Sequence, residues 1–280
     1  MKTNLNLRFS FNPKISWSTN IFILNLALAD LLNCIVNIPI YLVHILHQKW
    51  TWGAKSCRLT AYLRHSLTFI AWMSVALIAI HRCNGVLKLG KETIFDSKSK
   101  RRIILILVWV YGFLLLIPSY FGLFGELGYN CLSGNCYIIP QSDEFHGFSP
   151  LVVIYGLAIL VPCFTVIICY CLIGISVWKT QKLFINNDQI QQKLSQRQDR
   201  TTRAVTIVCI TFIVFMIPLP MTLFEYFYHL DVFLGSLPLK IGLICIYWAQ
   251  YSVNFFIYAG SCHQYRQAYR NLIQKVSCYF

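Results

Sequence analysis

The stretch Ile21-Phe-Ile-Leu-Asn25-Leu-Ala-Leu-Ala-Asp30-Leu-Leu-Asn-Cys-Ile-Val-Asn-Ile-Pro-Ile40 decides the fold. It opens an apolar run from Ile21 to Leu46, 26 residues whose only formal charge at neutral pH is Asp30. About 20 predominantly apolar residues suffice to cross the hydrocarbon core as a helix. Five further runs qualify: Thr60–Leu87, Ile103–Gly122, Pro150–Trp178, Ala204–Tyr228 and Leu239–Ala259. None alternates with period two, as a strand of a membrane barrel does. Lipid forces each segment to satisfy its own backbone, so the sequence predicts an all-α membrane bundle.

Composition agrees. Only 12% of the 280 residues are charged and 57% are hydrophobic; soluble domains carry about 25% charged residues. The formal charge of +14 sits between the apolar runs, so it reads as topology and not as a nucleic-acid footprint. Segments 1–19, 83–102, 179–203 and 260–280 hold 18 Lys and Arg, and segments 47–59, 123–149 and 229–240 hold 4. Cytoplasmic loops carry the excess, which puts both termini of the chain in the cytoplasm. No signal peptide is expected, because no short apolar run follows the basic start. Cys57, Cys131 and Cys136 fall on the outer, oxidising side, where one bridge among them is expected.

Charged groups within membrane helices are costly and mark function by default. Asp30 lies mid-run. Arg82 lies 25 residues after Cys57, about 37 Å of helix, so the two mark opposite faces of the membrane. Trp109, Pro162, Tyr170, Phe212, Pro218, Asn254 and Tyr258 follow in later runs.

This ordered set resembles the rhodopsin-like (class A) G-protein-coupled receptors over about residues 17–276. Asn25 and Asp30 are similar to the family's second-helix motif. His81-Arg82-Cys83 stands where the family has Asp-Arg-Tyr, Phe212 and Phe215-Met216-Ile217-Pro218 where it has Phe…Cys-Trp-x-Pro, and Asn254-Phe-Phe-Ile-Tyr258 where it has Asn-Pro-x-x-Tyr. Cys136-Tyr-Ile-Ile-Pro140, Gly147-Phe-Ser-Pro150 and Tyr265-Arg-Gln-Ala-Tyr269 look most like the melatonin-receptor and insect moody-type branch.

The resemblance implies a seven-helix receptor bundle, of which six transmembrane helices and a short amphipathic C-terminal helix are expected here. The family's first helix is expected to be absent, with residues 1–16 a cytoplasmic or non-native segment, 17–276 the receptor domain and 277–280 a tail. It implies a plasma-membrane, multi-pass receptor that passes an extracellular ligand signal to a heterotrimeric G-protein. It implies a disulfide between Cys57 and Cys136. It makes His81, Arg82, Tyr170 and Tyr258 the G-protein switch, Phe212, Met216 and Pro218 the helix-six switch, and Asp30 with Asn254 an activation pocket that admits a sodium ion. His81, Met216 and Phe255 depart from the family's acid, tryptophan and proline at their positions.

Arg64 lies seven residues, about 10 Å, inward of Cys57; Glu225 lies seven beyond Pro218 on the other side of the cavity. Buried charges are usually paired, so an Arg64–Glu225 pair is expected, the alternative being that Arg64 takes an acidic group of the ligand. Amine receptors carry an aspartate at the Arg64 position, which argues against an amine ligand. His65, Thr68, Tyr226 and Trp248 complete the expected pocket. Tyr265, Tyr269, Leu272, Ile273 and Val276 recur at helical spacing, an interfacial amphipathic helix embedded among membrane lipids, and Cys278 after it is a palmitoylation candidate. No nucleophile motif or phosphate loop suggests an enzyme. His44 and His47 lack further ligands for a metal. A six-helix transporter or channel is the runner-up, with only Asp30, Arg64 and Glu225 for a polar path.

Glycosylation sites inserted after residue 280 are expected to stay unmodified and those inserted between residues 141 and 146 to be modified. The reverse pattern refutes the orientation.

Overall fold

The computed structural model describes residues 13–47, 49–87, 95, 97–123, 126–130, 135–139, 150–183 and 206–215, with helical positions between 242 and 260 and Gln274. Its elements are α1 (Pro13–His47), α2 (Gly53–Leu87), α3 (Lys98–Leu114), α4 (Ile117–Tyr120), β1 (Glu126–Asn130), β2 (Asn135–Ile139) and α5 (Pro150–Leu183), followed by α6 (Thr206–Phe215). Among the described residues, four helical stretches are long and apolar enough to span a membrane: Ile21–Ile40, Gly53–Leu87, Lys98–Tyr120 and Gly156–Ser176. They coincide with the first four runs of the sequence. The fifth and sixth runs are described only in part.

α2 is the centre. It touches α1, α3, α5 and both strands. From Arg64 to Ala79 every side chain but Met73 is buried, so no face of that stretch is left to lipid. The outer helices show the converse. Ile103, Ile106, Leu107 and Val110 on α3, and Leu157, Val161, Phe164 and Ile168 on α5, are exposed apolar residues. In water they would form an aggregation-prone patch; against lipid they are the expected surface. The lipid-facing sides are thus apolar and the protein-facing sides carry the polar groups.

α2 and α3 meet at Gly112. A Cβ added there would lie 2.3 Å from Ile70 Cγ1 and 3.2 Å from the Ser66 carbonyl oxygen. Small residues at such crossings let backbones approach without a hydrophobic drive. α3 then ends at Leu114. Pro118 lies in the first turn of the short α4, and Gly122, at φ 79°, reverses the chain toward β1.

The segment 123–149 was expected to be plain loop, and here the structure adds something. β1 and β2 pair antiparallel with Tyr129 opposite Cys136 and Leu127 opposite Ile138. Those four positions share one face of the hairpin. Leu127 and Cys136 are buried, and both strands touch α2, so this face lies on the end of α2.

Gly112→Val is expected to lower stability by about 1–3 kcal/mol through overpacking, read as a drop in the melting temperature of the detergent-solubilised chain. Gly156→Ala, where nothing lies within 4 Å of the added Cβ, serves as the neutral comparison.

Candidate functional site: a polar column beside the central helix

A column of polar side chains runs along the buried junction of α1, α2 and the 242–260 segment. At the Cys57 end, Cys57 is disulfide-bonded to Cys136, which joins the start of α2 to β2. Arg58, one residue on, is ion-paired with Glu126 of β1. The hairpin is therefore held at both strands. Trp50 braces the chain before α2 by donating its indole N–H to the Gly53 carbonyl at 2.8 Å.

Two turns inward lie Arg64, His65 and Thr68, all buried. Arg64 donates its Nε–H to Asn37 Oδ1 at 3.0 Å. The Asn37 amide in turn donates to Asn33 Oδ1 at 3.1 Å, and the Asn33 amide donates to the Ala29 carbonyl, also at 3.1 Å. The Thr68 hydroxyl gives its proton to the Arg64 carbonyl at 2.9 Å. It therefore accepts from the Tyr251 hydroxyl, 3.0 Å away. The guanidinium is thus anchored through two asparagines to α1, and α2 is tied to the 242–260 segment.

At mid-membrane Asp30 accepts from the Asn254 amide at 2.9 Å, and one turn on Cys34 is hydrogen-bonded to Ser252. Asn25 joins three helices. Its amide donates to Ser74 Oγ at 2.7 Å, its carbonyl oxygen accepts from Trp109 Nε1 at 2.8 Å, and Ser74 passes its own proton to the Ile70 carbonyl. Unpaired, each of these groups would carry a full desolvation penalty in lipid. Paired, they fix the mutual rotation of α1, α2 and α3.

At the basic end the family's acid is His81. Its ring packs against Phe22 of α1 and Phe95 of the α2–α3 connection, at centroid distances of 5.1 and 5.2 Å. Phe22 and Phe95 meet edge to face, and Arg101 at the start of α3 donates to the Phe95 carbonyl. An aromatic cluster therefore occupies the place of a charge pair. Arg82 lies within electrostatic reach of Tyr170, which sits beside Cys209 and Thr206 of α6, its buried hydroxyl making no hydrogen bond among the described residues. Cys83 and Cys169 are in contact between α2 and α5. Phe212 is buried on α6.

Of the residues singled out by sequence, the structure thus gathers Cys57 with Cys136, Arg64 with His65 and Thr68, Asp30 with Asn254, and Arg82 with Tyr170. Tyr258, Met216, Pro218, Glu225, Tyr226, Trp248, Cys131 and Cys278 lie outside the residues whose side chains are described, as does the expected Arg64–Glu225 pair. Sequence reasoning missed Asn33, Asn37 and Tyr251. The first two follow Asp30 at i+3 and i+7, the spacing of one helix face, and that was the available signal. It also missed Phe22 and Phe95, which no spacing rule connects to His81.

Long apolar helices around one polar, fully covered helix, with a disulfide-held hairpin over one end, make this a multi-pass helical-bundle membrane protein. Squid rhodopsin has the same fold, with a TM-score of 0.73 at 21% identity, covering 90% of this chain and 70% of that one. The chain belongs to the rhodopsin family of seven-transmembrane receptors: the family described as 7 transmembrane receptor (rhodopsin family) matches residues 7–262. Among curated relatives, "Protein trapped in endoderm-1" of Drosophila melanogaster is 26% identical over 274 residues, 90% of this chain and 68% of that protein. "G-protein coupled receptor moody" of Drosophila pseudoobscura pseudoobscura is 27% identical over 173 residues, which is 61% of this chain and a quarter (25%) of that protein. These matches give no support to the transporter or channel reading.

Cys57→Ser and Cys136→Ser are expected to reduce folded surface yield equally, with the double variant no worse, since either removes the same bond. Loss of a native disulfide costs about 2–5 kcal/mol in small secreted domains. Arg58→Gln removes an exposed pair and is expected to cost about 1 kcal/mol or less. Unequal cysteine variants, counted by surface antibody labelling, refute the shared-bond account.

Proposed function

We propose that the protein is a plasma-membrane receptor that converts binding of an extracellular ligand on the Cys57 side into activation of a heterotrimeric G-protein on the Arg82 side. The observation that supports it best is the meeting of α2, α5 and α6 at Arg82, Tyr170, Cys209 and Thr206. Family membership makes that junction the place where a moving helix would be sensed. In this reading Arg82 is the group that engages the G-protein when α6 moves, and Tyr170, packed beside Cys209 and Thr206, is where α5 meets α6 at rest. In this reading Tyr258 belongs to the same switch, and Phe212, Met216 and Pro218 are the helix-six switch.

The ligand side of the reading is the Arg64, His65 and Thr68 cluster, to which helical spacing in the sequence adds Glu225, Tyr226 and Trp248. Asp30 serves as an amide-paired carboxylate. Asn254 turns a donor toward one carboxylate oxygen, and oxygen ligands of this kind are what a sodium ion in the pocket would take. Cys278 is the lipid-anchor position of this reading. The moody-type branch is the sub-family that best fits the Cys136–Pro140 segment.

His81, in its aromatic setting, stands where the family pattern has the carboxylate that neighbours Arg82. Such a carboxylate would hold the guanidinium through a charge-assisted hydrogen bond of about 1.5–3 kcal/mol. The receptor is therefore expected to signal without ligand. In membranes reconstituted with G-protein, Arg82→Ala should abolish basal nucleotide exchange. His81→Asp should lower it below the parent level, because the new carboxylate favours the resting guanidinium. Unchanged exchange in Arg82→Ala, at matched expression, would sink the switch reading.

A further inference from the structure

Trp72 of α2 is the largest fully buried side chain among the described residues, at 1% exposure. Its indole N–H makes no hydrogen bond among them. A buried tryptophan usually gives that proton to an acceptor, as Trp109 gives its own to Asn25. A donor left unpaired in the interior carries its full desolvation penalty.

The facing helix holds an acceptor in the same position. Pro162 lies inside α5 and is buried. Proline has no N–H, so the carbonyl four residues earlier loses its helical donor. That carbonyl belongs to Ala158, which is buried too. The register brings donor and acceptor to one place. Cys83 of α2 touches Cys169 of α5, which marks the facing sides of the two helices and a common level. Trp72 lies eleven residues before Cys83, and Ala158 eleven before Cys169. Eleven residues return to the same face after three turns, about 16 Å of rise. Both helices run from the hairpin toward the basic end, α2 from Cys57 to Arg82 and α5 from Pro150 to Tyr170 beside Arg82. The thiol contact therefore transposes to Trp72 opposite Ala158.

The Trp72 ring meets Phe69, one turn nearer Cys57, at 5.5 Å, whereas a helical carbonyl points the other way, toward the end of its helix. Donor and acceptor thus diverge along the axis. Ala76 and Ala79 follow Trp72 on this face of α2, and both are buried. With Ala158 they are small residues that leave room beside the indole.

We propose that this place binds an ordered water molecule, which accepts from Trp72 Nε1–H and donates to the Ala158 carbonyl. A buried water takes roughly two to four polar partners, and a bridge through it is nearly as good as a direct bond. It ties α2 to α5 about midway between Arg64 and Arg82, and it satisfies both the proline-freed carbonyl and the buried indole.

The test uses the full chain in phosphatidylcholine nanodiscs, with its seven tryptophans isotope-labelled at the indole nitrogen. The peak missing from Trp72→Phe is that of Trp72. In the parent it should show a dipolar cross-peak to water in a rotating-frame experiment, where proton exchange has the opposite sign. Pro162→Ala keeps the ring but returns a helical donor to the Ala158 carbonyl, and the cross-peak should be lost. If Trp72→Phe does not fold, the peak that loses its water contact in Pro162→Ala serves instead, and the absence of any such peak overturns the proposal. Melting temperatures give a second reading. Pro162→Ala should raise stability more in the Trp72→Phe background than in the parent, because only there does the new N–H leave no donor stranded. Equal effects in the two backgrounds overturn the shared water. So does an indole that is hydrogen-bonded yet shows no water contact, since that marks a direct bond.

Discussion

The enclosure of the middle of α2, residues 64 to 79, is the constraint on which the rest of the bundle depends. A helix in lipid with one exposed side must keep that side apolar, and its polar residues are confined to a stripe. α2 is covered by α1, α3, α5 and the hairpin, so the restriction is lifted around its whole circumference. It carries Arg64, His65, Ser66, Thr68 and Ser74 in buried positions. Each needs a partner on a neighbouring helix or its own backbone. That need sets how α1 and the 242–260 segment are rotated against α2. The close approach at Gly112 seats α3 on the same helix.

The resulting contacts differ in character along the membrane normal. Near the disulfide they are covalent and ionic. At mid-membrane they are short chains of amide and hydroxyl bonds, as in the Trp109–Asn25–Ser74 relay. At the basic end they turn soft: aromatic edges around His81 and thiol contacts among Cys83, Cys169 and Cys209. Aromatic pairs contribute about 0.5–1.5 kcal/mol beyond their burial, less than the loss of a native disulfide, about 2–5 kcal/mol. The bundle is thus stiffest where the hairpin closes it and most yielding where α5 and α6 meet.

Much of this was legible in the sequence for a physical reason. Lipid imposes a length and a composition on every spanning segment, so the runs beginning at Ile21, Thr60, Ile103 and Pro150 stand out without any tertiary information. The price of intramembrane charge also made Asp30 and Arg64 conspicuous. The hairpin was not legible, because Glu126–Ile139 has no alternation strong enough to stand apart from loop and takes its register from its fit on α2. The role of Tyr251 was not legible either. Its hydroxyl meets Thr68, a contact between residues 183 positions apart that periodicity does not encode. The Phe22–His81–Phe95 cluster was hidden for the same reason, since Phe95 comes from the connection between two helices.

The bridge between Cys57 and Cys136 closes a loop of 79 residues, and that loop contains the whole of α3. During synthesis Cys57 emerges first and must wait as a thiol until Cys136 reaches the same side. Cys136 arrives there only after α2 and α3 have both been threaded across the bilayer. Closure of the bond therefore requires that both helices have crossed. A chain in which α3 stalls holds its two sulfurs on opposite sides of the membrane, where the bond does not form.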